Sequence, residues 1–181
     1  DVFYMELNYD VNSTGITSLP TNEQKSGNIG QIAWKVRGRD LQAYNYTYDF
    51  LNRMTTSTYY DVNASNVATA TNRFNENLTY DSRGNIMTLN RTGHYTDVSN
   101  VCQYNTIDNL TYNYTANTNR LASVTDATVL AQAKAKGYNP GVGGVGYGYD
   151  AVGNMTSDTY KGITNITYNY LNLPQIIQWG N

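Results

Sequence analysis

The chain has 181 residues, 12 Lys and Arg against 14 Asp and Glu, a net charge of -2, and only 14% charged residues. Asn supplies 25 residues, Thr 23 and Tyr 18, together more than a third of the chain. High aromatic content at low net charge excludes a disordered chain. The lack of a Lys/Arg cluster excludes a nucleic-acid partner, and no apolar run approaches the roughly 20 residues of a membrane helix. A Tyr/Thr/Asn-rich β protein is left.

Residues 3–9 alternate Phe3, Met5, Leu7 and Tyr9 against Tyr4, Glu6 and Asn8, the period of a strand. Residues 10–28 are polar and are expected to loop. Ile29 to Val36 reads as a strand anchored by Trp34. Beyond it the sequence repeats itself. Tyr46-Thr47-Tyr48-Asp49 runs into Asn52-Arg53-Met54, and Leu78-Thr79-Tyr80-Asp81 runs into Gly84-Asn85-Ile86. Leu110-Thr111-Tyr112-Asn113 leads to Asn119-Arg120-Leu121, and Tyr147-Gly148-Tyr149-Asp150 to Gly153-Asn154-Met155. Ile166-Thr167-Tyr168-Asn169 leads to Tyr170-Leu171-Asn172-Leu173. Taking Tyr48, Tyr80, Tyr112, Tyr149 and Tyr168 as equivalents gives spacings of 32, 32, 37 and 19 residues. Between the units, 61–76 and 93–106 read as polar loops, and 127–136 is the one helix-favouring window.

Each unit has a physical logic. Alternation before the Asp or Asn makes a strand with Tyr on one face and Thr on the other. The Asp or Asn side chain can bond backbone N–H groups two residues on, and Gly or Asn next accepts a positive φ cheaply. Each unit is therefore strand, tight turn, strand, with hairpins near 46–56, 78–89, 110–124, 147–157 and 166–177. A lone hairpin is marginal in water, so units must stack. About a dozen strands at roughly 4.8 Å each make a sheet too long to stay flat, whose two ends need neighbours.

At these residues the sequence resembles the RHS/YD-repeat family, as do Gly27 to Lys35 and the closing Lys161 to Pro174. The resemblance implies a single segment, 1–181, of an all-β antiparallel hairpin repeat that forms part of a β-solenoid or spiral shell. It implies a secreted or surface-displayed bacterial shell around a C-terminal toxin or effector. Its partners would be neighbouring YD repeats of one longer chain, the enclosed cargo, and secretion machinery or glycans. Asn113 and Asn169 depart from the Tyr-Asp pattern, and Asn can still close the turn.

Chemistry within the segment is weighed as follows. Gly141 to Gly146 spells G-x-G-x-x-G, but it follows Pro140 and leads into a strand, not a helix, so it reads as a loop. His94 is the only histidine and Cys102 the only cysteine. They cannot complete a zinc site by themselves, and nothing near His94 resembles a catalytic triad. Cys102 is expected to be a small buried side chain, and a single cysteine excludes an intrachain disulfide. Asp49, Asp81 and Asp150 are explained as turn closers ahead of a glycosidase pair. The nine Asn-x-Ser/Thr sequons, Asn12 to Asn165, follow from composition. No catalytic, cofactor or metal residue is expected. Tyr rings could instead stack on sugars, which leaves an adhesion or glycan-binding surface as the alternative. The absence of a basic and apolar leader argues against a signal peptide in this stretch, and the apolar close at Ile176 to Trp179 is read as internal to something longer.

Overall fold

The computed structural model describes residues 2–10, 15–20, 23–139 and 146–180. Its strands are β1 (Phe3–Asn8), β2 (Gln31–Val36), β3 (Leu41–Tyr48), β4 (Met54–Val62), β5 (Ala68–Ala70), β6 (Glu76–Tyr80) and β7 (Ile86–Thr96). They continue as β8 (Cys102–Tyr114), β9 (Leu121–Asp126), β10 (Tyr147–Tyr149), β11 (Met155–Asp158), β12 (Ile163–Tyr168) and β13 (Pro174–Trp179). One short helix, α1 (Ala131–Lys134), and a 3-10 turn, Thr159–Lys161, complete the set. The first sheet runs β1-β2-β3-β4-β6-β7-β8-β9, with β5 beside the upper part of β4; the second runs β10-β11-β12-β13. Every strand pair is antiparallel. The chain is all-β, and its sheets are open runs among the described residues; no closed solenoid turn is present in them.

Six hairpins follow one another along these sheets. Their register sorts the side chains by type. Across β6 to β9, Thr79, Thr88, Thr111 and Thr125 lie directly opposite one another, and beside them Asn77, Asn90 and Asn109 form a second row. The opposite face carries Leu78, Leu89 and Leu110 in register, followed by the Tyr112–Val124 pair. Alternation in sequence thus becomes two chemically different faces. Tyr60 is an exception: it sits on the threonine side in a buried cluster with Ala33, Ala43, Val62 and Ala68. Ile16 and Leu19 from the long connection between β1 and β2 cover that cluster. That connection was expected only to loop, yet Ile16 and Leu19 are 3% and 5% exposed.

Two expected loops are partly strand. Residues 93–96 and 102–106 extend β7 and β8 into a long arm, and 61–62 and 68–70 lie in β4 and β5. Their polar Thr, Asn and Gln residues gave no alternation of apolar and polar, but pairing in a sheet needs only backbone groups and tolerates polar side chains on exposed faces. Cys102 begins β8 at the tip of this arm and is exposed, not buried as expected. His94 is exposed on β7 opposite Tyr104. The 127–136 window yields only the four-residue α1, because Ala133 packs on Tyr95 and Ile107 and the chain then turns at Gly137. A side chain at Gly137 would collide with the Ile107 carbonyl and Asp108. The glycine run at 141–145 lies outside the described residues.

Under α1 the arm is held by one ion pair. Arg91 donates to Asp108 Oδ2 through Nε at 2.7 Å, with Nη2 2.6 Å from the same oxygen. The Tyr138 N–H donates to Oδ1. The Asp108 side chain is 1% exposed and that of Arg91 40%. Removing the cation strands a buried carboxylate, whereas removing the anion strands a guanidinium that reaches water. Arg91→Ala should therefore cost about 3 kcal/mol in urea unfolding, and Asp108→Asn less. The reverse order would contradict this account of the pair.

Candidate functional site: a row of clamped turns

Four turns at one sheet edge share a construction. In the β6–β7 turn, Asp81 Oδ1 accepts the N–H groups of Arg83 at 2.8 Å and Asn85 at 2.9 Å. The Asp81 N–H donates to the Asn85 carbonyl at 3.0 Å, and Gly84 takes φ 91°. Asp49 does the same toward Leu51 and Arg53, with Asn52 at φ 61°. Asp150 accepts from Val152, Gly153 and Asn154, and Asn169 from Leu171 and Leu173. Asn169 thus closes its turn as an Asp does, since only an acceptor oxygen is needed.

The fourth hairpin departs from the sequence alignment. Tyr112 and Asn113 lie inside the β8–β9 ladder, paired with Val124 and Ser123, and the Asn113 side chain bonds Ser123 Oγ at 3.2 Å. The turn itself begins two residues later, where the Thr115 N–H reaches the Arg120 carbonyl at 2.8 Å and Asn117 takes φ 61°. Its signature tyrosine is Tyr114. The sequence offers two overlapping Tyr-Asn/Thr steps, Tyr112-Asn113 and Tyr114-Thr115, and likeness to Asp favoured the wrong one.

With that correction the signature tyrosines share a second property absent from the sequence pattern. Each hydroxyl donates to a backbone carbonyl of the hairpin before its own. Tyr48 reaches Ile29 at 2.8 Å, Tyr80 reaches Met54 at 2.7 Å, and Tyr114 reaches Ile86 at 2.9 Å. Tyr149 reaches Leu121 at 3.0 Å and Tyr168 reaches Met155 at 2.7 Å. Four of these acceptors open a return strand, β4, β7, β9 or β11. Register shifts immediately before Tyr48, Tyr80, Tyr114, Tyr149 and Tyr168, at a bulge that aims each ring backward along the sheet.

A second relay runs beside the clamps. Arg53 pairs with its own Asp49 at 2.7 Å, donates to the next turn's Asp81 carbonyl at 2.9 Å, and lies 4.6 Å over the Tyr80 ring. Asn85 bonds its own Asp81 and the next turn's Asn119, and Asn154 bonds its own Asp150 and the next turn's Asn172. Arg120 reaches the Ala151 carbonyl at 3.1 Å. Between β9 and β10 no strand ladder forms, and these turn contacts carry the junction with Tyr160, whose hydroxyl sits 3.4 Å from both the N and the O of Val124.

A first unit also escaped the sequence reading. Tyr9-Asp10 follows β1, and the Asn8–Gln31 pair places Tyr9 against Ile29 as Thr47–Thr56 places Tyr48 against Met54. Ser26-Gly27-Asn28-Ile29 matches Arg83-Gly84-Asn85-Ile86, and Gly27 takes φ 89°. The long insertion between Asp10 and Gly27 hid the hairpin. At the opposite edge, Asp97 and Asn63 close turns of the same kind by accepting from Ser99 and Val101 and from Ser65 and Val67.

Among the described residues no three His, Cys, Asp or Glu side chains gather as a metal site would require, and the repeat carboxylates are each turned into their own turn. Neither a scan against protein-family models nor a search of curated proteins finds a match to this sequence.

Two predictions follow from the clamps. Tyr114→Phe should cost roughly 1 kcal/mol in urea unfolding, the value of one internal hydrogen bond. Tyr112→Phe should be close to neutral, since its hydroxyl has no partner among the described residues; equal costs would return the signature to Tyr112. The pH dependence is two-sided. The Asp81 carboxyl is held below its ordinary value, first by the Asn85 amide, and Asp97 likewise, first by the Val101 N–H. Depressed carboxyls stabilise above their unfolded value of 3.8 and lose that contribution as pH falls through the lowered folded values. Burial pushes the Tyr48, Tyr80, Tyr114 and Tyr149 hydroxyls up, and takes Tyr44 and Tyr46 to about 12. Raised phenols stabilise fully below 10 and lose that contribution as pH rises through the folded values. The urea midpoint should therefore stay level between these limits, with alkaline loss tracking tyrosinate absorbance. Alkaline unfolding that precedes tyrosinate formation would count against the clamps.

Proposed function

We propose that this chain is a section of wall in an RHS/YD-repeat β-shell, secreted or held at a bacterial surface, that encloses a C-terminal toxin or effector until delivery. The observation that carries the reading is the clamp, repeated at five successive joints. A structure that grows by adding one hairpin and one hydroxyl-to-carbonyl bond is suited to a long spiralling wall. Twist accumulated over many strands curves such a wall toward closure. The Thr and Asn rows form an uncharged face that neither attracts nor repels a cargo strongly. Its partners are the neighbouring repeats of one longer chain, the cargo, and the machinery that exports it. The segment itself supplies no chemistry.

A second reading, a surface that binds glycan or another cell, has one observation in its favour. A cleft of about 360 Å³ is lined by Tyr44, Phe74, Glu76, Arg91, His94 and Lys136, among others. Trp34, Tyr44, Tyr59, Phe74 and Tyr104 form a chain of ring contacts 5.1–6.2 Å apart beside it. Sugars stack on such rings.

Limited proteolysis of the longer protein that contains this segment separates the readings. The C-terminal part should resist protease while the wall is intact and lose protection when Tyr80→Ala and Tyr149→Ala open two joints. Digestion at the rate of the free C-terminal part would sink encapsulation. Binding of one sugar class that is lost in Tyr44→Ala would favour the second reading.

A further inference from the structure

The cleft beside the aromatic chain holds charges that the protein does not balance. Glu76, Arg91 and Asp108 form one row across β6, β7 and β8. Arg91 thus stands between two carboxylates, and it gives Nε and Nη2 to Asp108. Asp108 is the buried one, 1% exposed, and is the costlier to leave unpaired. Glu76, half-buried at the cleft wall, is left without a hydrogen bond or ion pair among the described residues. Burial, and then the Glu76 charge, push the neighbouring Tyr44 hydroxyl up to about 12. On the far wall stands Lys136. Gly137 beside it lies so close to β8 that a Cβ there would strike the Ile107 carbonyl and Asp108. The Lys136 ammonium likewise has no partner among the described residues, and Arg91 keeps Nη1 uncommitted.

Between these charges the cleft is apolar and already fixed in shape. Tyr44, Phe74 and Ile107 line it. The Tyr44 hydroxyl is spent on the Phe74 carbonyl at 3.0 Å, and Thr92 Oγ1 accepts the Asn75 N–H at 2.8 Å. Gly93 leaves the floor bare, because a Cβ there would lie 2.6 Å from Ile107 Cδ1. Every wall comes from β3, from β6 to β8 with the residues just before β6, or from the segment after α1. The site is therefore built from the interior of the strand run and owes nothing to β1 or β13.

The free groups specify a ligand by their chemistry and their separation. A lone carboxylate takes hydroxyl or ammonium donors, and an ammonium with a spare guanidinium N–H takes an anion. Glu76 lies on β6 and Lys136 stands over β8, two strand intervals or roughly 10 Å apart at the backbone. An α-amino acid carries its ammonium and carboxylate on one carbon and cannot face both walls. A pyranose with a carboxylate at C6 can, because its C2 and C3 hydroxyls lie across the ring from that group. We infer that the cleft binds a carboxylated sugar of the uronic acid class, with hydroxyls on Glu76, the carboxylate on Lys136 and Arg91 Nη1, and the C–H face of the ring on Phe74 and Ile107. This inference rests on the glycan-binding reading and is independent of encapsulation.

A matched pair of sugars tests it by calorimetric titration of the chain. Methyl glucuronide and methyl glucoside share ring and hydroxyls and differ in the carboxylate. The glucuronide should bind about ten-fold more tightly, with an advantage that shrinks as salt is added. Lys136→Gln should abolish that advantage and leave the glucoside unchanged, whereas Glu76→Ala should weaken both sugars about ten-fold. Neither side chain has a partner among the described residues, so both variants should keep the urea midpoint of the parent chain. Equal binding of the two sugars would overturn the carboxylate assignment and leave glycan binding standing. Binding of neither sugar would sink the glycan reading with it. Phenylalanine bound ahead of both sugars, or glucuronide binding indifferent to Lys136→Gln and Glu76→Ala, would also overturn the inference.

Discussion

The bond from a tyrosine hydroxyl to a carbonyl in the preceding hairpin is the contact on which the rest of this structure depends. A two-stranded hairpin does not hold by itself in water, and a ladder between hairpins resists separation without choosing which strands become neighbours. The hydroxyl sits at the end of a rigid ring, so it reaches one carbonyl and no other. At the β9–β10 junction this contact persists where the ladder does not. There the clamp from Tyr149, the Arg120 reach to Ala151 and the Tyr160 hydroxyl on Val124 hold two sheets side by side. The joint can therefore outlast the strand pairing that surrounds it elsewhere.

The turn chemistry and the clamp support each other. The carboxylate or amide that accepts two backbone N–H groups fixes the reversal at one residue, and the bulge beside it fixes the direction of the tyrosine ring. The residue after the positive-φ position then bonds both its own turn and the next one, as Arg53, Asn85 and Asn154 do. Function on this reading lies in the joints and not in any pocket.

Covering elements are added where the repeat cannot bury its own surface. Ile16 and Leu19 close the threonine side over Ala33, Ala43 and Val62, and α1 closes the tyrosine side over Tyr95 and Ile107. Both come from connections between strands, one before β2 and one after β9. Between them the Thr and Asn rows remain open to solvent.

Alternation, Asp or Asn before Gly or Asn, and the recurrence of both were legible in the linear order, because a strand's period and a turn's positive φ are local properties. They sufficed for the all-β class, for hairpins near 46–56, 78–89, 147–157 and 166–177, and for a tyrosine and a threonine face. The hidden first hairpin, the true position of Tyr114, the strands at 68–70, 93–96 and 102–106, and the exposure of Cys102 were not legible. Each depends on which backbone groups meet across the sheet, and polar strands or a long insertion leave no local trace of that. Sequence by itself determined the repeating unit. The tertiary structure alone decided how one unit holds the next, because a hydroxyl finds its carbonyl 13 to 28 residues away only after the chain has folded.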